Sequence, residues 1–138
     1  MHTKVALDMG DVSLILAAAC GEAEKNQWKV AIAVVDDGGH PLSLMRLDGC
    51  APISSYIAIE KARTAALGQR ETRGYEDMVN SGRIAFLSAP LLTSLEGGVP
   101  VIVDGEVIGA IGVSGVQPSQ DAQIARAGVS SMASVVGS

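Results

Sequence analysis

Residues Gly97 to Gly115 read as a single β-hairpin, and no other stretch restricts the fold as tightly. Its two arms are rich in β-branched residues: Val99, Val101, Ile102 and Val103 on one side, Val107, Ile108, Ile111 and Val113 on the other. Between them Asp104-Gly105 supplies the positive φ angles of a tight two-residue turn. Four further glycines, Gly97, Gly98, Gly112 and Gly115, gather at the open end, more than any turn requires. Without a Cβ they let backbone or a ligand come close. That end is the expected functional edge.

The remaining chain supplies a second hairpin and several helices. Val12, Ile15, Leu16, Ala19 and Ala23 recur at helical spacing, which predicts a first helix from Asp8 to Lys25 with Asp8 or Asp11 as its N-cap. Trp28 to Val35 fits a buried strand, Asp36-Asp37-Gly38-Gly39 a turn, and Pro41 to Leu47 the returning strand, with Leu42, Leu44 and Arg46 on one face. A second helix follows Pro52, capped by Ser54 or Ser55 and ended by Gly68. Its small-residue stripe is Ile53, Ile57, Ala58, Ala62 and Ala65, with Glu60, Lys61 and Arg63 on the flanks. Gly74 to Asn80 reads as a short helix and Arg83 to Leu87 as an extended piece. A last helix starts after Pro118, with Ser119 as N-cap, and continues towards the terminus. Hairpins in place of βαβ crossovers imply an antiparallel sheet with helices covering one side, an α+β domain spanning residues 1–138.

Composition excludes several roles. A net charge of −5 argues against a phosphate-backbone partner, and an aromatic content of 3% leaves little on which bases could stack. No segment offers the roughly 20 apolar residues of a membrane span. Leu14 to Cys20 has the look of a lipoprotein signal, but Asp8 and Asp11 precede it, and the helical periodicity is the stronger pattern. A cytoplasmic protein is expected. Cys20 and Cys50 lack neighbouring thiols at metal-ligand spacing; a single disulfide is left open, and two free thiols in a reducing compartment are expected.

Several strings in order then carry a family signature: Ala31-Ile32-Ala33-Val34-Val35-Asp36-Asp37-Gly38-Gly39-His40, Met45-Arg46-Leu47-Asp48-Gly49, Ile59-Glu60-Lys61-Ala62-Arg63-Thr64-Ala65-Ala66, the Gly97–Gly115 hairpin, and Gln120-Asp121-Ala122-Gln123-Ile124-Ala125. Together they resemble the GlcG/HbpS family, the haem-degrading domain family that includes the C-terminal domain of PduO. The resemblance implies a profilin-like fold, homo-oligomers and, in some members, haem. It also implies, for PduO-type domains, a haem-ligating His on the first helix. No His lies on that helix here.

The residues themselves leave two sites open. For haem, His40, Cys20, Cys50, Met45, Tyr56 and Tyr75 are the available ligand types, and His40 at a hairpin tip is the first to test. An exposed turn residue is its plain alternative. For a small carboxylated ligand, Arg46, Lys61 and Arg83 would neutralise charge while Gly97, Gly98, Ser114 and Gly115 expose backbone donors. Internal ion pairs, Arg46 with Asp48 or Glu60 and Lys61 or Arg63 with a helix carboxylate, are the competing explanation. Glu60, Glu76 and Asp121 are acids with surface or capping explanations, and no catalytic constellation is legible. The function expected is binding of a small organic ligand in organic-acid catabolism; the alternatives are haem binding or breakdown, and a non-catalytic assembly module.

Overall fold

The computed structural model describes residues 1–133. Helix α1 (Met9–Lys25) precedes the hairpin β1 (Ala31–Asp36) and β2 (Pro41–Arg46). Helices α2 (Ile53–Gly68) and α3 (Arg73–Asn80) follow, then a 3-10 turn at Ile84–Ser88. The second hairpin is β3 (Gly98–Val103) and β4 (Glu106–Ser114), and α4 (Pro118–Ser130) closes the fold. Residues 134–138, towards which the last helix was expected to continue, lie outside the described residues. The four strands form one antiparallel sheet in the order β2-β1-β4-β3.

Local chemistry explains most of the elements. Asp8 caps α1, accepting from the Asp11 amide while the Asp11 carboxylate accepts from the Asp8 amide, so both acids take part in one capping box. At the β3–β4 turn Asp104 and Gly105 have φ of 50° and 79°, the pair of left-handed residues that a type I′ turn requires. Pro118 opens α4, but its N-cap is Gln117, paired reciprocally with Gln120. Ser119 sits inside the helix. Helix α2 has no side-chain cap: Pro52 takes the N-cap position, and Gln69, not Gly68, is the left-handed C-cap residue, at φ 57°. The 84–88 segment coils into a 3-10 turn where an extended piece was expected.

The expectation of helices on one side of the sheet is corrected. Helices α1 and α4 cover one face, where Val12, Ile15, Ile32, Val34, Ile111, Val113 and Ile124 form the larger core. Helix α2 covers the other, where Ala58, Ala62, Ala65 and Ala66 meet Ala31, Ala33, Val35 and Ala110. The physical reason is that Ala31 to Val35 are all buried, a continuous apolar run that two-sided burial demands and one-sided burial does not. Alternation along β1 sorts large residues to one face and alanines to the other. Two bulges adjust the sheet. Ile108 is the extra residue opposite Val101/Ile102. Leu42 is the extra residue opposite Val34/Val35, so it joins the larger core and leaves the Leu44 and Arg46 face to which simple alternation assigned it.

With only alanine and glycine between them, α2 and β4 pack at backbone contact. A Cβ on Gly112 would collide with the Ala58 carbonyl oxygen and the Ala62 nitrogen. Gly112→Ala is therefore expected to destabilise by about 3 kcal/mol or more, since neither neighbour is a movable side chain. Gly21→Ala on exposed α1, where a Cβ meets open space, is expected to stabilise by about 1 kcal/mol. Urea unfolding of the two variants checks both signs.

Candidate functional site

The open end of the β3–β4 hairpin is filled by the protein itself. A Cβ on Gly97 would lie 2.7 Å from the Val113 carbonyl oxygen and 2.8 Å from Lys61 Nζ. On Gly98 it would strike the Lys61 carbonyl, and on Gly115 the backbone of Lys29 and Val30. The expected ledge at Gly97, Gly98, Ser114 and Gly115 is thus closed within one chain, because α2 and the start of β1 occupy the space that the glycines leave.

Lys61 is the centre of that seal. Read from sequence as a helix-flank cation, it is 3% exposed, and its Nζ donates to Asp121 Oδ2 at 3.0 Å and to the Val113 carbonyl at 2.9 Å. Asp121 Oδ1 in turn accepts from the Val116 amide. The pair ties α2 to β4 and α4, so the internal ion-pair explanation holds for Lys61. Burial pushes the Asp121 carboxyl above the ordinary carboxylate range, opposed by the Lys61 charge and hydrogen bond and by the Val116 amide; the nearby Glu96 adds to the rise.

The other cations are dispersed. Sheet register places Arg46 opposite Ala31, and Ala31 opposite Ser114, in one cross-strand row on the α2 face. Arg46 is exposed and forms no ion pair with Asp48 or Glu60. Glu60 instead pairs with Arg63, whose Nε also donates to the Gly39 carbonyl. Arg83 is exposed and lies over the Phe86 ring at 4.5 Å. It is not brought to the Arg46 row.

The haem-ligand candidates separate by environment. His40 is exposed on the β1–β2 turn, its amide held by Asp36 Oδ1. Cys50 is buried, its thiol 3.6 Å from the Ala51 carbonyl. Burial pushes the Cys20 thiol up, helped by the adjacent Glu24 carboxylate, which disfavours the thiolate that a metal would need. Both cysteines are free. Met45 lies on edge strand β2, and Tyr56 is 75% exposed on α2.

Tyr75 is different. Its ring is packed and the residue is 8% exposed, while its phenol oxygen, which makes no hydrogen bond among the described residues, reaches the surface; the buried side-chain polar atom without a partner among those residues is Ser94 Oγ. Tyr75 opens into a cleft of about 310 Å³ walled by Leu67, Pro90, Leu91 and Leu92. The phenol occupies the space over Gly68, where a Cβ would collide with it. The cleft's other hydroxyl, Thr64, is already saturated: it donates to the Glu60 carbonyl and accepts from the Thr93 amide. Sequence reasoning offered Tyr75 only as one ligand type among six. The missing signal was the fold of residues 84–92 over α2, which no periodicity reports. Among the described residues no group of three His, Cys, Asp or Glu side chains could hold a metal ion, and no helix is long and apolar enough to cross a membrane.

Comparison with known proteins establishes the family and the fold. The chain belongs to the family described as haem degrading protein HbpS-like, whose model matches residues 7–130. It is 68% identical to protein GlcG of Escherichia coli strain K12 over 114 residues, covering 83% of this chain and 85% of that protein. The crystal structure of HbpS superposes with a TM-score of 0.86 at 32% identity, covering all of this chain and 95% of that one. The crystal structure of a PduOC:haem complex superposes with a TM-score of 0.83 at 29% identity, over 92% of this chain and 95% of that one. Profilin-like α+β architecture is common to them.

The buried pair makes a specific prediction. Lys61→Met leaves Asp121 buried without its partner and is expected to cost about 3–5 kcal/mol near pH 7. Because burial already holds the Asp121 carboxyl above its unfolded value, the folded state binds this proton the more tightly. The stability that this proton confers is complete below the unfolded carboxylate pKa and is lost as pH rises through the raised folded one. The cost of Lys61→Met should therefore shrink towards about pH 4, where the orphaned carboxyl takes up a proton. Denaturant unfolding across that range measures it.

Proposed function

We propose that this chain is a haem-binding protein and that the Tyr75 cleft takes one face of the porphyrin. The observation that carries this reading is a tyrosine with a packed ring whose phenol oxygen, unpartnered among the described residues, opens into a cleft walled mainly by leucine and proline. Phenolate oxygen is an established axial ligand class for haem iron, and apolar walls suit the macrocycle. Leu67, Leu91 and Leu92 would pack on the ring and Tyr75 would face the iron. When bound, the group would supply one-electron redox chemistry at the iron. Support also comes from the PduOC:haem complex, which shares the fold. Haemin titrated into the purified protein should give a saturable Soret shift that survives washing, is lost in Tyr75→Phe and persists in His40→Ala. Loss in His40→Ala with retention in Tyr75→Phe would overturn the assignment.

The same reading includes self-association and a reducing, cytoplasmic setting, which the two free thiols support. On the outer side of α2, Ile53 and Tyr56 are exposed at helical spacing next to the Glu60–Arg63 pair, an apolar surface suited to a second copy. Tyr56→Glu should lower the mass measured by light scattering while leaving the circular dichroism spectrum unchanged; an unchanged mass would contradict this role for α2.

A second reading, a small carboxylated ligand in organic-acid catabolism, is favoured by one feature. Arg46 and Ser114 share a cross-strand row, and Arg46 has no acidic partner among the described residues. Lys61, Gly97, Gly98 and Gly115 would then shape that end of the sheet without touching the ligand.

A further inference from the structure

Beside the Tyr75 cleft lies a second one, of about 470 Å³, lined by Arg70, Gly74, Asp77, Met78, Ser81 and Arg83. Its two arginines are held in the same unusual way. The Arg70 guanidinium carbon sits 4.8 Å from the centre of the Tyr75 ring, and that of Arg83 sits 4.5 Å from the centre of Phe86. The two rings contact each other, centroids 5.8 Å apart and planes tilted by 49°. Arg70 and Arg83 thus stand at the two ends of a chain of contacts through Tyr75 and Phe86, and both line the one cleft.

Neither arginine forms an ion pair among the described residues. The only carboxylate lining the cleft, Asp77, is paired with Arg73 at 3.7 Å. The lining therefore carries two arginines without an ion-pair partner against one carboxylate, a net positive charge. Cation–π contact fixes the flat faces of the guanidinium groups and leaves their N–H edges available for bidentate hydrogen bonding. Gly74 leaves room for the Arg70 guanidinium, which a Cβ there would push aside. The Ser81 hydroxyl, which makes no hydrogen bond among the described residues, adds a neutral donor on the same wall.

We propose that this cleft binds a small dianion with oxygen-rich ends, a dicarboxylate or a phosphate, clamped between Arg70 and Arg83 with Ser81 as an additional donor. Carboxylate and phosphate present the same paired-oxygen edge to a guanidinium fork, so the two sources share one recognition chemistry. The site shares Tyr75 with the haem reading, as the ring that Arg70 rests on, but its ligand-contacting groups are Arg70, Arg83 and Ser81, and it needs no porphyrin.

Isothermal titration of the full chain, free of haem, with malonate in one series and inorganic phosphate in another tests the proposal. One-to-one saturable binding is expected for at least one probe, and the stronger of the two identifies the anion class. Arg70→Gln and Arg83→Gln should each weaken it about tenfold or more, as should Gly74→Ala, while Lys25→Gln on α1 stays within about twofold. Arg70→Lys, which keeps the charge but not the fork, should recover only part of the loss. Absence of saturable binding with both probes, arginine variants indistinguishable from the parent, or an equal loss in Lys25→Gln would each overturn the proposal. Circular dichroism of the variants separates lost binding from lost fold.

Discussion

Seating α2 directly on the sheet is the constraint from which the rest of this molecule follows. Ala58 and Ala62 meet Gly112, and the Lys61 carbonyl meets Gly98, with no side chain between the two layers. Such proximity allows the short reach from Lys61 to Asp121 and to the Val113 carbonyl, which locks α2 to β4 and α4. A buried pair of this kind adds little net stability over apolar packing, but it penalises every arrangement that separates its partners. Here it fixes the position of α2 against the hairpin.

The same seating closes the glycine-rich end of the hairpin. Glycines that leave room for a ligand and glycines that leave room for a helix look alike in sequence, because both positions simply lack a Cβ. In this fold the helix takes the room. The apolar and cationic groups left for a ligand then lie where residues 70–92 pack beside α2. There Tyr75 reaches the space above Gly68, and Arg70 lies across Gly74. Glycine still shapes this region, by seating an aromatic ring and a guanidinium instead of a guest.

Legibility from sequence followed the range of the interactions. Short-range signals were read correctly: the Asp104-Gly105 turn, the helical period from Val12 to Ala23, and Pro118 at the start of α4. The family resemblance was also legible, because its strings are contiguous, and the family-model match over residues 7–130 agrees with it. What was missed depends on contacts between distant residues. Covering of both sheet faces was implicit in the unbroken apolar run from Ala31 to Val35, yet alternation was assumed to have one dry side. Lys61 was read as a flank cation for a ligand, with pairing to a helix carboxylate as the alternative, and the sequence could not name the partner because Asp121 lies sixty residues away along the chain. Arg70 carried no motif, and only the Tyr75–Phe86 contact gives it a role.

Hydrogen–deuterium exchange with and without haemin tests most directly the claim that α2 closes the glycine-rich hairpin end and leaves the ligand surface on the 64–92 side. Slower exchange on loading is expected in α3, in the C-terminal half of α2 and in the segment around Leu91 and Leu92, with Gly97, Gly98 and Gly112 to Gly115 unchanged. Protection confined to the Gly97–Gly115 hairpin, with no change near Tyr75, would contradict it.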